Sequence, residues 1–161
     1  MKAAKFRVFA SCMVLLGTGS VFAEGEHGES HGESHSFHPN VFGVFAGVTS
    51  ETRREGSFTL GLEYHRRFNE SFGVGVVAEH VFADHDFNVV AIPFSWYLGR
   101  WKLFAGPGFE KSEHHDREFL ARAGVEYAIP VGRIEISPQV MVDFVDGDSV
   151  LVFGLTFGKG F

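Results

Sequence analysis

Cysteine is nearly absent from this sequence, in which Cys12 is the one cysteine among 161 residues. Cys12 lies in a segment with the features of a secretory signal. These are three basic residues among the first seven, an apolar run, and the small-residue cleavage motif at residues 21–23. Residues 1–23 are therefore predicted to be a signal peptide, so the mature chain begins at Glu24. Without cysteine, that chain has no disulfide, no thiol nucleophile and no thiolate-bound metal.

Long apolar runs and basic residues are also scarce. The longest apolar run, residues 8–23, has 16 residues and includes glycine and serine, whereas a membrane-spanning helix needs about 20. The formal net charge of the whole chain is −6. Removing the signal removes three basic residues and no acidic one, which leaves −9. A charge of this sign argues against a nucleic-acid partner.

Helical periodicity is missing too, and strand periodicity takes its place. The chain contains 20 glycines and 19 phenylalanines, which weaken helices and favour strands, respectively. From residue 40 onward, apolar and polar residues alternate with period two between turn signals. The eight predicted strands are residues 41–50, 57–68, 72–82, 87–98, 101–110, 118–129, 133–144 and 150–161.

The alternation fits either a soluble barrel with an apolar interior or a membrane barrel with a polar one. The polar phase favours the membrane barrel, because it is rich in glycine. A solvated surface does not need such small residues, whereas a narrow eight-stranded interior holding long charged side chains does. These glycines are Gly43, Gly47, Gly61, Gly73, Gly75, Gly106, Gly108, Gly124 and Gly154.

Aromatic residues on the apolar phase fall at the strand ends and predict two girdles. One set is Phe42, Phe68, Phe72, Trp96, Trp101, Tyr127 and Phe161; the other is Phe58, Phe82, Phe109, Phe119 and Phe144. The two ends of a strand, such as Phe58 and Phe68, lie eight to ten residues apart. At ~3.3 Å per residue and a tilt near 40°, this spacing spans roughly 20–25 Å, the height of an outer-membrane apolar band.

The signal peptide, the eight amphipathic strands and the terminal Phe161 resemble the small outer-membrane β-barrel families of the OmpA transmembrane domain and OmpX type. Leu155, Phe157 and Phe161 match the terminal pattern of those families, whereas Lys159 departs from it. The resemblance covers about residues 40–161. It implies an all-β, eight-stranded antiparallel transmembrane barrel, monomeric and surrounded by outer-membrane lipid. It also implies that the barrel-assembly machinery recognises the last strand.

The connections predict the topology of this barrel. With both termini in the periplasm, the periplasmic turns are residues 69–71, 99–100 and 131–132. The outer loops are residues 51–56, 83–86, 111–117 and 145–148, which are short and so argue against an adhesin or receptor. Pro93, Pro107 and Pro138 fall inside predicted strands, where each removes a ladder hydrogen bond. They suggest bulges and leave the register open.

Ten charged or titratable residues fall on the inward phase. They are Glu63, His65, Arg67, Glu79, Lys102, Glu110, Arg122, Glu126, Arg133 and Glu135. Because an isolated buried charge is costly, they are expected to pair and fill a closed barrel. The alternative is a proton or ion path through the interior, or a catalytic dyad.

The segment at residues 24–39 is predicted to be a disordered tail, because it contains almost nothing that can form a core. His27, His31, His35 and His38 recur there among Gly, Glu and Ser. Four imidazoles with carboxylates suit Zn, Cu or Ni. The competing interpretation is a solvated acidic spacer.

A second histidine group falls near the predicted outer rim. His80, His85, His114 and His115 lie there among carboxylates, which are Asp84, Asp86, Glu113 and Asp116. Two interpretations are a metal site of oxygen and nitrogen ligands and a solvated loop tip. His80 is also the best candidate for a catalytic base of a lipid-modifying barrel, but no serine lies nearby in the sequence.

Together these features predict a non-enzymatic outer-membrane barrel over residues 40–161 with a structural or envelope-associated role. Divalent metal binding by the tail or the rim is the most specific hypothesis, and no cofactor is required. Passive passage of small solutes or ions is the alternative function, and lipid-modifying catalysis is the third.

Overall fold

A computed structural model describes residues 38–51, 56–83, 86–112 and 117–161 of the chain. The described residues form ten β-strands. These are β1 (Asn40–Glu51), β2 (Ser57–Arg67), β3 (Phe72–Phe82), β4 (Phe87–Ala91), β5 (Phe94–Leu98), β6 (Trp101–Ser112), β7 (Glu118–Tyr127), β8 (Ile129–Val131), β9 (Ile134–Val145) and β10 (Asp148–Gly160). No helix long and apolar enough to cross a membrane occurs among these described residues. The predicted signal peptide and nearly all of the predicted tail lie outside them.

The sheet closes on itself, which confirms the predicted eight-stranded antiparallel barrel. β1 pairs with β2 on one side and with β10 on the other, and β10 in turn pairs with β9. The closing pair runs from Val41 opposite Gly160 to Glu51 opposite Val150. β4 and β5 together make one barrel strand between β3 and β6, and β8 prolongs β7 along β9. Eight barrel strands therefore leave no open sheet edge.

The prolines do not produce bulges, which corrects the interpretation suggested by the sequence. Pro93 separates β4 from β5, but both strands keep one register against β3 and one against β6. The ladder survives because Gly75 N–H donates to the Pro93 carbonyl at 2.8 Å, and Ile92 N–H donates to the Pro107 carbonyl at 2.9 Å. Pro107 and Pro138 are paired within unbroken strands.

Two-residue turns connect several strands, and their residues suit the backbone that each turn needs. Asp146 and Gly147 both have positive φ, at 46° and 87°, as a type I′ turn requires between twisted antiparallel strands. Gly99 and Gly132 have φ of 62° and 63° at the first central position of their turns. The latter turn comprises residues 132–133, one residue later than the sequence predicted.

The barrel has two distinct ends. We call the end that holds Asn40 and Phe161 the termini end. The opposite end, where the turn at residues 146–147 lies, is called the loop end. The segments 52–55, 84–85 and 113–116 also join strands at the loop end, and they lie outside the described residues.

Candidate functional site: the barrel interior

Side chains on the strands alternate between an exposed apolar surface and a buried polar interior. In β3, for example, Val76 is 49% exposed while its neighbour Val77 is 4% exposed. The exposed phase carries the predicted aromatic girdles. Partners across the strands lie in contact, with ring centroids 4.7 Å apart for Trp101 and Tyr127 and 6.0 Å apart for Phe109 and Phe119. The predicted inverted arrangement is therefore present, and the polar interior is the candidate site.

Arg122 holds the first of two polar networks in this interior. Its guanidinium donates to both oxygens of Glu79, at 2.9 and 2.6 Å, and to both oxygens of Asp143, at 2.7 Å each. All three side chains are almost fully buried. Asp143 lies directly opposite Arg122 in the β7–β9 register, whereas Glu79 reaches it across the lumen from β3. Two bidentate bonds satisfy most of the guanidinium, as a buried charge requires.

The second network lies closer to the termini end and links five strands. Lys102 on β6 forms an ion pair with Glu126 on β7, and its ammonium lies 3.4 Å from His65 Nε2. That nitrogen lies 3.3 Å from Glu63 Oε2. Two further residues, Gln139 and Thr156, complete the network. Gln139 Nε2 donates to Glu63 Oε1 and to Thr156 Oγ1, both at 2.9 Å.

Cavities accompany the second network. A cavity of about 80 Å³ opens at the termini end, and its lining includes Arg67, Tyr97, Lys102 and Glu135. The Arg67 guanidinium lies 4.1 Å from the Tyr97 ring centroid in this mouth. A smaller cavity of about 10 Å³ lies between the two networks. The larger cavity has room for several hydrogen-bonded waters, and the smaller has room for about one.

The loop end of the interior is filled differently. Five apolar side chains pack together there, namely Val81, Phe87, Val89, Leu120 and Val145. Next to them, a second apolar cluster of Phe45, Phe104, Met141 and Val152 crosses the lumen. Both clusters are buried, so apolar packing fills the loop end and continues to the middle of the barrel, where Phe104 and Met141 also line the smaller cavity.

Six of the ten predicted interior charges pair as expected, whereas Arg133 lies exposed in the turn at residues 132–133, and several partners were missed. Glu63, His65, Glu79, Lys102, Arg122 and Glu126 are all buried, and all belong to the two networks. Asp143, Gln139 and Thr156 were not among the expected interior pairs, although each lies on the inward phase of its strand. The alternation signal therefore could have identified them, but it carries no information on contacts across the lumen.

The predicted metal-site residues fall mostly outside the described residues, as His27, His31, His35, His85, His114 and His115 do. His38 lies at the termini end against Gly160. His80 lies on the exposed phase near the loop end, with Nδ1 2.9 Å from Asn88 Oδ1 and Nε2 3.7 Å from Asp86 Oδ2. Within the described part of the chain, no three metal-binding side chains come together.

Comparisons with known proteins place the fold. No family model matches the chain, and no curated protein matches it. Solved structures similar to the chain include three with TM-scores of 0.50 or more. They are the N-terminal β-barrel domain of Pseudomonas aeruginosa OprF (TM-score 0.58, 12% identity, 78% of this chain and 100% of that chain), a de novo designed transmembrane β-barrel (0.54, 13%, 74% and 96%) and Ail, the attachment invasion locus protein of Yersinia pestis (0.50, 18%, 76% and 96%).

These similarities, at under 20% identity, concern architecture. They define the chain as an eight-stranded barrel of the transmembrane type. The fold is that of the small outer-membrane barrels of the OmpA and OmpX type, which confirms the resemblance stated from the sequence.

Proposed function

We propose that this protein is an outer-membrane β-barrel with a non-enzymatic, structural or envelope-associated role. The observation that carries the proposal is the inverted distribution of side chains. Large apolar residues are exposed all around the barrel, and the buried charged residues of the strands pair with one another inside. In water, such a surface would aggregate, whereas in a bilayer it contacts acyl chains. We further propose that the termini end faces the periplasm, because two of its three turns have only two residues, whereas three of the four connections at the loop end have four or five.

Fractionation and gel mobility test the membrane assignment. We expect the protein to sediment with outer membranes and to migrate differently on gels before and after heating. Val125→Arg places a charge on the exposed phase of β7 and should lower the free energy of unfolding by roughly 2–4 kcal/mol in a bilayer. Recovery of the native protein as a soluble periplasmic monomer would contradict the proposal.

The interior supports a closed barrel rather than a catalyst or an open pore. Among the described residues, the contacts of His80 are with Asn88, Asp86 and Phe82, and none of these carries a hydroxyl or thiol nucleophile. The apolar cluster around Leu120 fills the lumen at the loop end. We therefore expect no sustained conductance in planar bilayers. Regular single-channel steps would favour the alternative of passive solute transport.

Metal binding by the histidine-rich segment is a separate proposal, supported by the repetition of His27, His31, His35 and His38 in the sequence. A segment that its sequence predicts to be disordered would lose entropy on binding, so we expect modest affinity that weakens as the imidazoles protonate. Calorimetry with Zn²⁺ distinguishes binding by the tail from binding by the rim. It compares the intact protein, a deletion of residues 24–38, and a His114→Ala, His115→Ala variant. Equal binding by all three would contradict both sites.

Assembly provides a further test. The Phe161 side chain is exposed at the end of the last strand, beside Asn40 of the first. We expect deletion of Phe161 to reduce membrane insertion far more than deletion of residues 24–38, because the barrel closes from residue 40 onward. Equal losses would show that the N-terminal segment contributes to folding.

A further inference from the structure

The outward phase of the strands contains cations but no carboxylate. Every described carboxylate side chain in the ten strands lies on the inward phase. These carboxylates are Glu63, Glu79, Glu110, Glu118, Glu126, Glu135, Asp143 and Asp148. The outward phase carries three permanent cations, which are Arg66, Lys111 and Lys159. The strand surface that faces the bilayer is therefore positive wherever it is charged.

Two of these cations lie together at the termini end, on neighbouring strands. Lys159 of β10 is opposite Phe42 of β1, which is opposite Tyr64 of β2. Arg66 follows Tyr64 by two residues and is opposite Asn40. From strand spacing, the α-carbons of Arg66 and Lys159 are about 12 Å apart, within reach of two long side chains that converge on one group. We call these five residues the seam patch.

The seam patch presents hydrogen-bond donors around its two cations. Tyr64 Oη donates to Asn40 Oδ1 at 2.8 Å, which fixes the amide so that its NH₂ group remains a donor. Within the described residues, neither Arg66 nor Lys159 forms an ion pair. This contrasts with Lys102 and Arg122 inside the barrel, which pair with carboxylates. The described carboxylates outside the wall at this end are Glu70, in the turn after β2, and the α-carboxylate of Phe161, beside Asn40.

The surroundings of the patch distinguish a lipid from a soluble anion. Phe42, Val44, Leu62 and Leu155 are each at least 40% exposed and continue the patch toward the middle of the barrel. A phosphodiester headgroup would meet the arginine fork, the lysine and the amide, while its acyl chains would lie along these apolar side chains. Inorganic phosphate would gain only the polar part of these contacts.

We propose that the seam patch, formed by Asn40, Phe42, Tyr64, Arg66 and Lys159, binds the phosphodiester headgroup of an anionic lipid in the leaflet at the termini end. This proposal rests on the assignment of the protein to a membrane. It adds a lipid preference to that assignment, located on one side of the barrel.

Fluorescence quenching by brominated lipids tests the site locally. Trp96 and Trp101 lie on β5 and β6, on the other side of the barrel from β1. In a Trp96→Phe, Trp101→Phe background, Phe42→Trp places a single reporter within the patch. The parent protein keeps its two tryptophans as the control location. Two vesicle preparations are compared, both made mainly of phosphatidylcholine. One contains brominated phosphatidylglycerol, and the other contains the same fraction of brominated phosphatidylcholine.

At the Phe42→Trp reporter, we expect brominated phosphatidylglycerol to quench the fluorescence at least threefold more than brominated phosphatidylcholine does. At Trp96 and Trp101, the ratio of quenching by the two lipids should be about one. Adding Arg66→Gln and Lys159→Gln should return the ratio to about one, whereas Lys111→Gln at the other end should not change it. Raising the ionic strength should lower the ratio. Inorganic phosphate at the same phosphate concentration should not displace the lipid.

The outcomes separate this site from the membrane assignment. The protein could insert into vesicles and change its gel mobility on heating, yet give a quenching ratio near one at the Phe42→Trp reporter. That result overturns the site alone. So does a ratio that survives loss of both cations, or displacement by inorganic phosphate, which would indicate a simple anion site. Failure to insert into either kind of vesicle overturns the membrane assignment, and the site with it.

Discussion

The two halves of the barrel interior are built from the same alternating strands but are filled in different ways. At the loop end, apolar side chains around Leu120 exclude water. At the termini end, a cavity of about 80 Å³ opens among charged side chains. The polar bonds differ accordingly. Arg122, beside the apolar clusters, makes bonds of 2.6–2.9 Å to two carboxylates, while His65, beside the cavity, has partners at 3.3 and 3.4 Å.

This difference shows how access to water sets the partners that a buried charge requires. Near the apolar half, protein groups alone must satisfy a charge, so the guanidinium of Arg122 is held by two bidentate carboxylates. Near the cavity, water can complete the longer contacts of His65, while the Lys102–Glu126 pair and the Gln139 bonds of the same network are direct. Substitutions in the two halves should therefore differ in cost, and the following predictions proceed from the largest expected effect to the smallest.

Removing the buried guanidinium should cost the most. Arg122→Met leaves Glu79 and Asp143 facing each other without a cation. We therefore expect the free energy of unfolding, measured in vesicles, to fall by about 3–5 kcal/mol. Arg67→Met, at the open mouth of the cavity, should cost under about 1 kcal/mol. Denaturant titration followed by tryptophan fluorescence measures both. Similar losses in the two variants would contradict the distinction between the halves.

Opening the apolar half should be the next largest effect. Leu120 is fully buried, so Leu120→Ala should lower the free energy of unfolding by about 2–5 kcal/mol. The same substitution removes part of the apolar filling of the lumen, so planar-bilayer recordings should show occasional conductance that the parent protein lacks. If the parent and the variant conduct equally, this cluster does not seal the barrel.

Two glycines give a matched pair across the halves. A β-carbon on Gly124 would lie 2.5 Å from the Phe104 ring and 2.7 Å from Met141 Cβ, so Gly124→Ala should cost about 1–3 kcal/mol. At Gly158, beside the cavity, the nearest atom is 3.4 Å away, in Val41. Gly158→Ala should therefore stay within about 0.5 kcal/mol of the parent. The same denaturant titration decides, and a reversed order would show that the interior repacks.

The smallest effect concerns a neutral hydrogen bond. Thr49 and Thr59 are both buried, with their hydroxyl oxygens 2.6 Å apart. Thr59→Val leaves the Thr49 hydroxyl without this partner, so we expect a loss of about 1 kcal/mol. The double variant Thr49→Val, Thr59→Val should recover most of that loss, because neither polar group remains. A double variant as unstable as the sum of the two single variants would rule out this account.

The sequence was sufficient for the parts of the structure that depend on local pattern. Period-two alternation predicted each barrel strand to within a few residues, and it assigned Glu63 and Lys102 to the interior. Alternation together with the hairpin register would also have predicted the Lys102–Glu126 pair, because these residues lie directly opposite each other on neighbouring strands. Alternation does not record lumen geometry, so it could not predict that Glu79 reaches Arg122 across the barrel.

The proline interpretation failed for a related reason. Pro93 was expected to disturb the register because it has no N–H to donate. Its partners in register are Gly75 and Gly106, whose missing side chains let the neighbouring strands approach closely. The sequence shows each of these residues, but which glycines face the proline depends on the pairing of three strands.

The pairing of β1 with β10 has a consequence for the order of events during biogenesis. It joins Val41 to Gly160, so the contact that closes the sheet spans almost the whole of the described chain. Contacts of such sequence separation form late, because the chain between them must first be ordered. Until the last strand arrives, the growing sheet has two unsatisfied edges and a set of unpaired interior charges. The nascent protein therefore has to be held unaggregated from the emergence of its first strand to that of its last.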